Sequence, residues 1–130
     1  MAEKKFVIIK PSFKILDDGK IKEIRTKIMD LLQNTKPTLV LVNLQDVIFM
    51  DSAGLGGLVA ILKAVRLSGS EFCLSSLSEQ IKIIFDLTKM GNVFKIFESY
   101  KKFEEEYSLN NPDNEEESNI DIEEIILTDE

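Results

Sequence analysis

The sequence predicts an α/β fold, and two adjacent patterns support this prediction most directly. The apolar run at residues 38–42 is typical of a strand buried on both faces of a sheet, because its apolar residues do not alternate with polar ones. The next stretch predicts a helix over residues 52–67, because apolar residues recur at helical spacing: Leu55, Leu58, Val59, Leu62 and Val65. Strand and helix patterns alternate along the rest of the chain, as they do in α/β sheets.

The residues before this central unit predict a strand, a second extended piece and a helix. Residues 5–10 predict the first strand, and residues 13–16 continue as a second extended piece. Residues 17–19, Asp-Asp-Gly, are typical of a turn. Residues 20–34 carry an apolar stripe with basic side chains outside it, and they predict an amphipathic helix that ends ahead of Pro37.

The residues after the central helix predict the remaining elements. Gly69 lies where the end of a helix takes a left-handed residue, and residues 71–77 predict the next strand. Ser78 is expected to cap a third helix. Residues 93–97 predict a final short strand, and residues 100–107 predict a short, charged helix.

The connection between the central strand and helix is the most unusual stretch, since it places the hydroxyl of Ser52 beside three glycines. Right-handed crossovers would put Ser52 at the carboxyl edge of the central strand, where α/β sheets usually carry their sites. Ser52 is either a helix cap or an exposed group that a partner contacts. Gly54, Gly56 and Gly57 permit either close packing of the helix on the protein itself or close approach of an outside backbone or phosphate.

The composition argues against an enzyme. The chain of 130 residues is long enough for one domain, and it has no histidine, which removes Ser-His-acid and Cys-His catalysis and histidine-ligated metal sites. No phosphate-binding glycine motif is present, and we expect no cofactor. The lone Cys73 is expected to be a buried side chain of a strand, and a single cysteine fits a protein of a reducing compartment. No apolar stretch is long enough to cross a bilayer, so we expect no membrane span and a cytoplasmic location.

The charge is unevenly distributed along the chain. Residues 1–100 carry 14 basic and 11 acidic side chains, whereas residues 101–130 carry 2 basic and 12 acidic ones. We therefore expect one domain over residues 1–107, an acidic and disordered tail over residues 108–130, and no direct contact with nucleic acid. The isoleucine-rich end of that tail is either weakly structured or a motif that docks on a basic face of this protein or of a partner.

The central motif resembles the signature of the STAS domain, the fold of bacterial anti-sigma-factor antagonists. The matching residues occur in the family's order: Asn43, Leu44, Asp46, Phe49, Met50, Asp51, Ser52, Gly54, Leu55 and Gly56. Residues 81–88 resemble the family's third helix and residues 94–97 its last strand, so that the resemblance covers roughly residues 5–107. It implies a STAS-like mixed β-sheet of four to five strands flanked by about four helices.

The resemblance also implies a function and a set of site residues. The family's regulatory phosphoserine directly follows the motif aspartate, which places it at Ser52. The unphosphorylated form would bind an anti-sigma factor that is also a serine kinase and so release the sigma factor, and a serine phosphatase would restore that form. The implied partner-binding residues surround the serine: Asp51, Ala53, Gly54, Leu55 and Gly56.

Two further expectations concern the surroundings of this site. Residues 11–20 depart from the family's pattern, in an element that belongs to the partner-binding surface of relatives. Phe49 and Met50, as large apolar residues, are expected to anchor the loop in the core.

A different class of function is also compatible with the sequence. STAS-like domains serve as scaffold or interaction modules in signalling and transport complexes. The same loop would then be a constitutive contact, and Ser52 would be only a helix cap.

Overall fold

The computed structural model describes residues 4–107, 109 and 120–128 of the chain. The strands are β1 (Lys4–Pro11), β2 (Ile15–Leu16), β3 (Leu39–Asn43), β4 (Phe49–Met50), β5 (Glu71–Ser75), β6 (Lys95–Phe97) and β7 (Ile120–Leu127). The helices are α1 (Asp18–Asn34), α2 (Ser52–Leu67), α3 (Glu79–Thr88) and α4 (Tyr100–Glu106), with a 3-10 turn at Met90–Asn92.

Five strands form one sheet in the order β6-β5-β3-β1-β7, and β2 pairs separately with β4. This confirms the predicted α/β fold, with five strands in the main sheet and four helices over the ranges that the structure describes. The sheet was expected to be mixed, but every strand pairing in the described residues is parallel. The reason is that α1, α2 and α3 each connect neighbouring strands of the sheet, and such helical crossovers return the chain in the same direction.

The main sheet is covered on both faces. Alternate residues of β1 and β3 point to opposite sides, so that Val7 and Val40 join a large core with α1, α2 and α3. Phe6 and Leu39 join a smaller core with Phe103 of α4. All five residues of β3 are buried, and the four apolar ones, residues 39–42, belong to the predicted run.

Several predicted helix ends agree with the structure. The hydroxyl of Ser78 caps α3 by accepting a hydrogen bond from the amide of Ile81 at 3.2 Å. Gly69 follows α2 with a φ of +85°, in the left-handed region.

Cys73 is a buried free thiol. Within the part of the chain that the structure describes, no helix has the length and apolar character that crossing a membrane requires.

The closing residues differ from the weakly structured tail that we expected. Residues 120–127 form the edge strand β7, which runs parallel to β1 from Lys4↔Ile120 to Pro11↔Leu127. The alternative of docking on a basic face of this protein is closer to the structure, since Lys5 of β1 forms an ion pair with Glu123. Residues 108 and 110–119 lie outside the described residues, so the predicted domain boundary at residue 107 stays a prediction.

Candidate functional site

Asp51, rather than Ser52, caps α2. Its backbone is extended, with φ −94° and ψ −176°, and its Oδ1 accepts a hydrogen bond from the amide of Gly54 at 2.9 Å. The alternative in which Ser52 itself caps the helix is therefore wrong. The physical reason is the position of the chain's turn into the helix, since Ser52 already has helical geometry and a cap must lie one residue before it.

This arrangement leaves the hydroxyl of Ser52 available. Ser52 is exposed, and among the described residues its side chain has no hydrogen-bond partner. It lies in the first turn of a 16-residue helix, where backbone amides point outward without intrahelical acceptors. The site thus presents a solvent-accessible nucleophilic oxygen at the positive end of a helix.

Two of the three glycines are explained by packing within the protein. A Cβ at Gly54 would overlap the carbonyl oxygen of Leu16, and a Cβ at Gly57 would overlap the side chain of Ile21 in α1. Gly54 is buried as a result. Gly56 is different, because it is exposed and a Cβ there would meet nothing within 4 Å. Only Gly56 therefore faces outward, next to Ser52.

The short sheet of β2 and β4 fixes the backbone that leads into Ser52. Ile15 pairs with Phe49 and Leu16 with Met50. The amide of Asp51 then donates to the carbonyl of Leu16 at 3.3 Å, which fixes the residue before Ser52. The segment that departs from the family pattern, residues 11–20, is therefore in direct contact with the predicted phosphorylation loop.

Three apolar side chains at this short sheet are exposed and are called the apolar patch: those of Ile15 and Phe49, which are paired, and that of Ile48, which immediately precedes β4. These side chains are 53%, 46% and 45% exposed, respectively. Phe49 was expected to anchor the loop in the core, and this expectation is wrong, whereas Met50 is fully buried as expected. The difference follows from strand geometry, because adjacent residues of a strand point to opposite sides and Met50 takes the inner one.

Sequence reasoning missed Ile15 and Ile48 as members of this surface. A signal was present, since Ile15 and Leu16 repeat the outward-inward order of Phe49 and Met50. Finding the patch required knowledge that β2 and β4 pair, which local patterns do not provide.

The remaining predicted site residues lie around Ser52 with different exposures. Asp51 is exposed, although its carboxylate is engaged as the cap, while Ala53 and Leu55 are half-buried. Gly54 is buried, and it affects the site only through its close packing against Leu16. Partner binding by these residues stays a prediction.

The pronounced pKa shifts occur in a different part of the molecule, where α4 meets β5 and β6. Burial, followed by the nearby carboxylate of Glu71, raises the pKa of the Cys73 thiol to about 12. Burial and a hydrogen bond to Glu71 also raise the pKa of Tyr107 to about 12.

Among the described residues no group of three or more histidine, cysteine or acidic side chains could hold a metal ion.

Comparisons with known proteins match this chain to one family. A model of the STAS domain matches residues 4–103. The anti-sigma-B factor antagonist of Bacillus subtilis (strain 168) is 40% identical over 53 residues, which are 41% of this chain and 49% of that protein. The chain therefore spans about half the length of that relative.

Two further matches cover more of the chain. The anti-sigma-B factor antagonist of Listeria monocytogenes serovar 1/2a is 30% identical over 83 residues, which are 64% of this chain and 69% of that protein. The NMR structure of the protein TM1081 of Thermotoga maritima is 28% identical, with a TM-score of 0.66, and the match covers 78% of this chain and 82% of that one.

Proposed function

This chain belongs to the STAS domain family, and we propose that it is an anti-sigma-factor antagonist whose partner binding is switched by phosphorylation of Ser52. The observation that carries the proposal is the exposed hydroxyl of Ser52, which Asp51 frees by capping α2 in its place. The names of the relatives from Bacillus subtilis and Listeria monocytogenes support the role of antagonist.

Phosphorylation would change the charge of this surface without refolding the domain. A phosphoserine carries nearly two negative charges at neutral pH, and here it would stand beside the carboxylate of Asp51. The free amides of the first turn of α2 stabilise part of this charge while the site faces water. Covered by a partner, the charge would have to be desolvated next to another negative group, which costs several kcal/mol unless the partner supplies a cation.

The apolar patch provides the binding energy in this proposal. Ile15, Ile48 and Phe49 are each about half exposed, and Phe49 precedes Ser52 by three residues. Exposed apolar side chains grouped on one surface are typical of protein–protein contacts, and aromatic residues often dominate their energy. A partner seated on the patch would cover Ser52 and Gly56, so that one phosphate could prevent its binding.

The protein is then a substrate and a regulator, with no active site of its own. The anti-sigma factor would act as the serine kinase, using ATP and Mg²⁺, and a serine phosphatase would reverse the modification. Because sigma factors act on RNA polymerase, this function places the chain in the cytoplasm.

Kinase treatment of the full chain tests the proposal. We expect incubation with ATP, Mg²⁺ and the cognate anti-sigma factor to place one phosphate on Ser52, located by mass spectrometry. Ser52→Asp should lose the partner, and Ser52→Ala should keep it. Ser68→Asp is the matched control, since Ser68 is an exposed serine at the opposite end of α2. An unmodified Ser52 together with full binding by Ser52→Asp would instead favour the scaffold, in which the contact is constitutive.

A further inference from the structure

The strand β7 lies beyond the part of the chain that matches the STAS model. The STAS model matches residues 4–103, and within those residues β1 is an edge strand, paired only with β3. Residues 120–127 cover the other edge of β1 along its full length, from Lys4 to Pro11. An open parallel edge presents unpaired backbone groups that accept a further strand.

The contact of β7 with the protein is shallow. Residues 6–9 of β1 are all buried, whereas no residue of β7 is. Ile125 and Leu127 are half-buried against the large core, while Ile122 and Ile126 on the other face remain 42% and 55% exposed. Elements with little buried apolar surface open at a low free-energy cost, so β7 belongs to the less stable part of the fold.

Charge complementarity favours an acidic strand at this edge of β1. β1 carries three lysines and no acid, at positions 4, 5 and 10, and β7 carries three acids and no lysine, at positions 121, 123 and 124. Nζ of Lys5 lies 2.9 Å from Oε1 of Glu123, and this hydrogen bond raises the pKa of Lys5. The two side chains are 27% and 41% exposed, so that salt screens their attraction.

We propose that the free edge of β1 is a binding site for an acidic, isoleucine-rich strand of a partner protein, which competes with β7 for it. Backbone groups of β1 provide the pairing, the three lysines select an acidic strand, and the surface under Ile125 and Leu127 accepts its aliphatic side chains. The chemistry of the partner is that of β7, because β7 shows what this edge accepts. The inference does not depend on Ser52 or on the proposed switch.

Covalent attachment to the same chain explains why β7, and not a partner strand, occupies the edge of β1 in the isolated protein. A segment attached to its own binding site has an effective concentration in the millimolar range, so a partner strand of equal intrinsic affinity loses the competition. A partner must bind more tightly, or β7 must first be weakened. The experiment therefore weakens β7 within the full chain.

The acceptor is the full chain with Glu124→Pro and Ile125→Pro. Because alternate residues of a strand donate to the same neighbour, two consecutive prolines remove at least one hydrogen bond of the ladder. The probe is a fluorescently labelled peptide of residues 118–130. We expect the probe to bind this variant at least tenfold more tightly than it binds the wild-type chain, and a peptide that carries the same two prolines should not bind.

Charge reversal tests the selectivity of the edge. Adding Lys5→Glu to the proline variant should weaken the wild-type peptide severalfold, and a peptide with Glu123→Lys should restore the affinity. Lys63→Glu is the matched control, since Lys63 is an exposed lysine on α2. No peptide binding to the folded proline variant, or binding that ignores the charge at position 5, would overturn the proposal.

Hydrogen exchange of the wild-type chain provides a second measurement, which does not depend on the variant folding. The amides of β7 and those of β1 that face it should exchange severalfold faster at 500 mM than at 50 mM salt, while those of β3 should not. Equal exchange at both salt concentrations would overturn the proposal, because β7 would then be a permanent part of the sheet. Micromolar dimerisation of the wild-type chain through β7 would also overturn it, in favour of a second copy as the occupant.

Discussion

At the scale of single residues, Asp51 and Ser52 have different roles in the site: Asp51 caps α2, and Ser52 presents a free hydroxyl. The carboxylate of Asp51 accepts the hydrogen bond from Gly54 that the helix start requires, so the neighbouring hydroxyl carries no structural duty in the described residues. The sequence could not distinguish the two, because aspartate and serine are both good caps and the choice depends on backbone dihedral angles. The same uncertainty applied to the glycines, whose roles were separated only by what surrounds each one.

The capping assignment predicts unequal effects of two alanine substitutions. Asp51→Ala should lower the free energy of unfolding by about 1 kcal/mol, because the amide of Gly54 loses its acceptor. Ser52→Ala should change it by less than about 0.5 kcal/mol, as is usual for an exposed side chain without partners. Urea denaturation measures both, with Asp51→Asn as the control that keeps a capping oxygen. Equal losses for the two alanine variants would contradict the assignment.

The glycine environments predict opposite signs for another matched pair. Gly54→Ala should destabilise the protein by about 1–3 kcal/mol, because the new methyl group meets the backbone of Leu16, which cannot move aside without disturbing β2. Gly56→Ala should be neutral or stabilise by up to about 1 kcal/mol, since it adds helix propensity in open space. Thermal unfolding of both variants checks this, and a stable Gly54→Ala protein would show that the packing is looser than described.

At the scale of secondary-structure elements, local patterns predicted the other strands of the main sheet but not the edge strand β7. The apolar run of β3 and the helical spacing of α2 are strong because these elements are packed by many neighbours. β7 has the composition of a tail, and its strand conformation depends on pairing with residues more than a hundred positions away. The pairing of β2 with β4 was hidden for a different reason, since each strand has only two residues and so carries little local pattern.

The attachment of α4 to the sheet predicts a loss of stability in alkaline solution. The hydroxyl of Tyr107 donates to Oε1 of Glu71 at 3.0 Å. Its pKa is raised from an ordinary value of 10.0 to about 12 by burial and by this hydrogen bond, so the folded state favours the neutral phenol. The resulting stabilisation is fully present below pH 10 and is lost as the pH rises from 10 towards 12.

Tyr107→Phe isolates this contribution. The phenylalanine ring keeps the edge-on contact with Phe6, at 5.3 Å between centroids, and removes only the hydroxyl. We expect the wild-type protein to be the more stable one at pH 8, with a difference that shrinks steadily above pH 10. Urea denaturation across this range measures the difference, and a constant value up to pH 12 would rule out the proposed role of the hydroxyl.

At the scale of the whole molecule, the proposed interface combines the apolar patch with Ser52, which follows Phe49 by three residues. Residues from three separate stretches contribute to it: Ile15 from β2, Phe49 from β4 and Ser52 from α2. The family resemblance predicted the serine and the loop, because they lie in one continuous motif. It did not predict the patch, because Ile15 belongs to the segment that departs from the family's pattern.

The patch predicts that partner binding can be lost with only a modest loss of stability. Phe49→Ala should weaken binding of the anti-sigma factor at least tenfold, since large aromatic side chains dominate many interfaces, and it should lower the free energy of unfolding by only about 1 kcal/mol because the ring is 46% exposed. Leu67→Ala is the control, because Leu67 is 90% exposed at the far end of α2. Isothermal titration of each variant, together with urea denaturation, makes the comparison. Equal affinities of the two variants would place the interface elsewhere.

The central claim, that charge on Ser52 releases the partner, is tested most directly by the dissociation constant of the anti-sigma factor for two homogeneous forms of the full chain. One form is unmodified, and the other carries a single phosphate on Ser52. A desolvation cost of about 3 kcal/mol corresponds to a more than hundredfold change, so we expect the phosphorylated form to bind at least 100 times more weakly. Equal dissociation constants for the two forms would contradict the account.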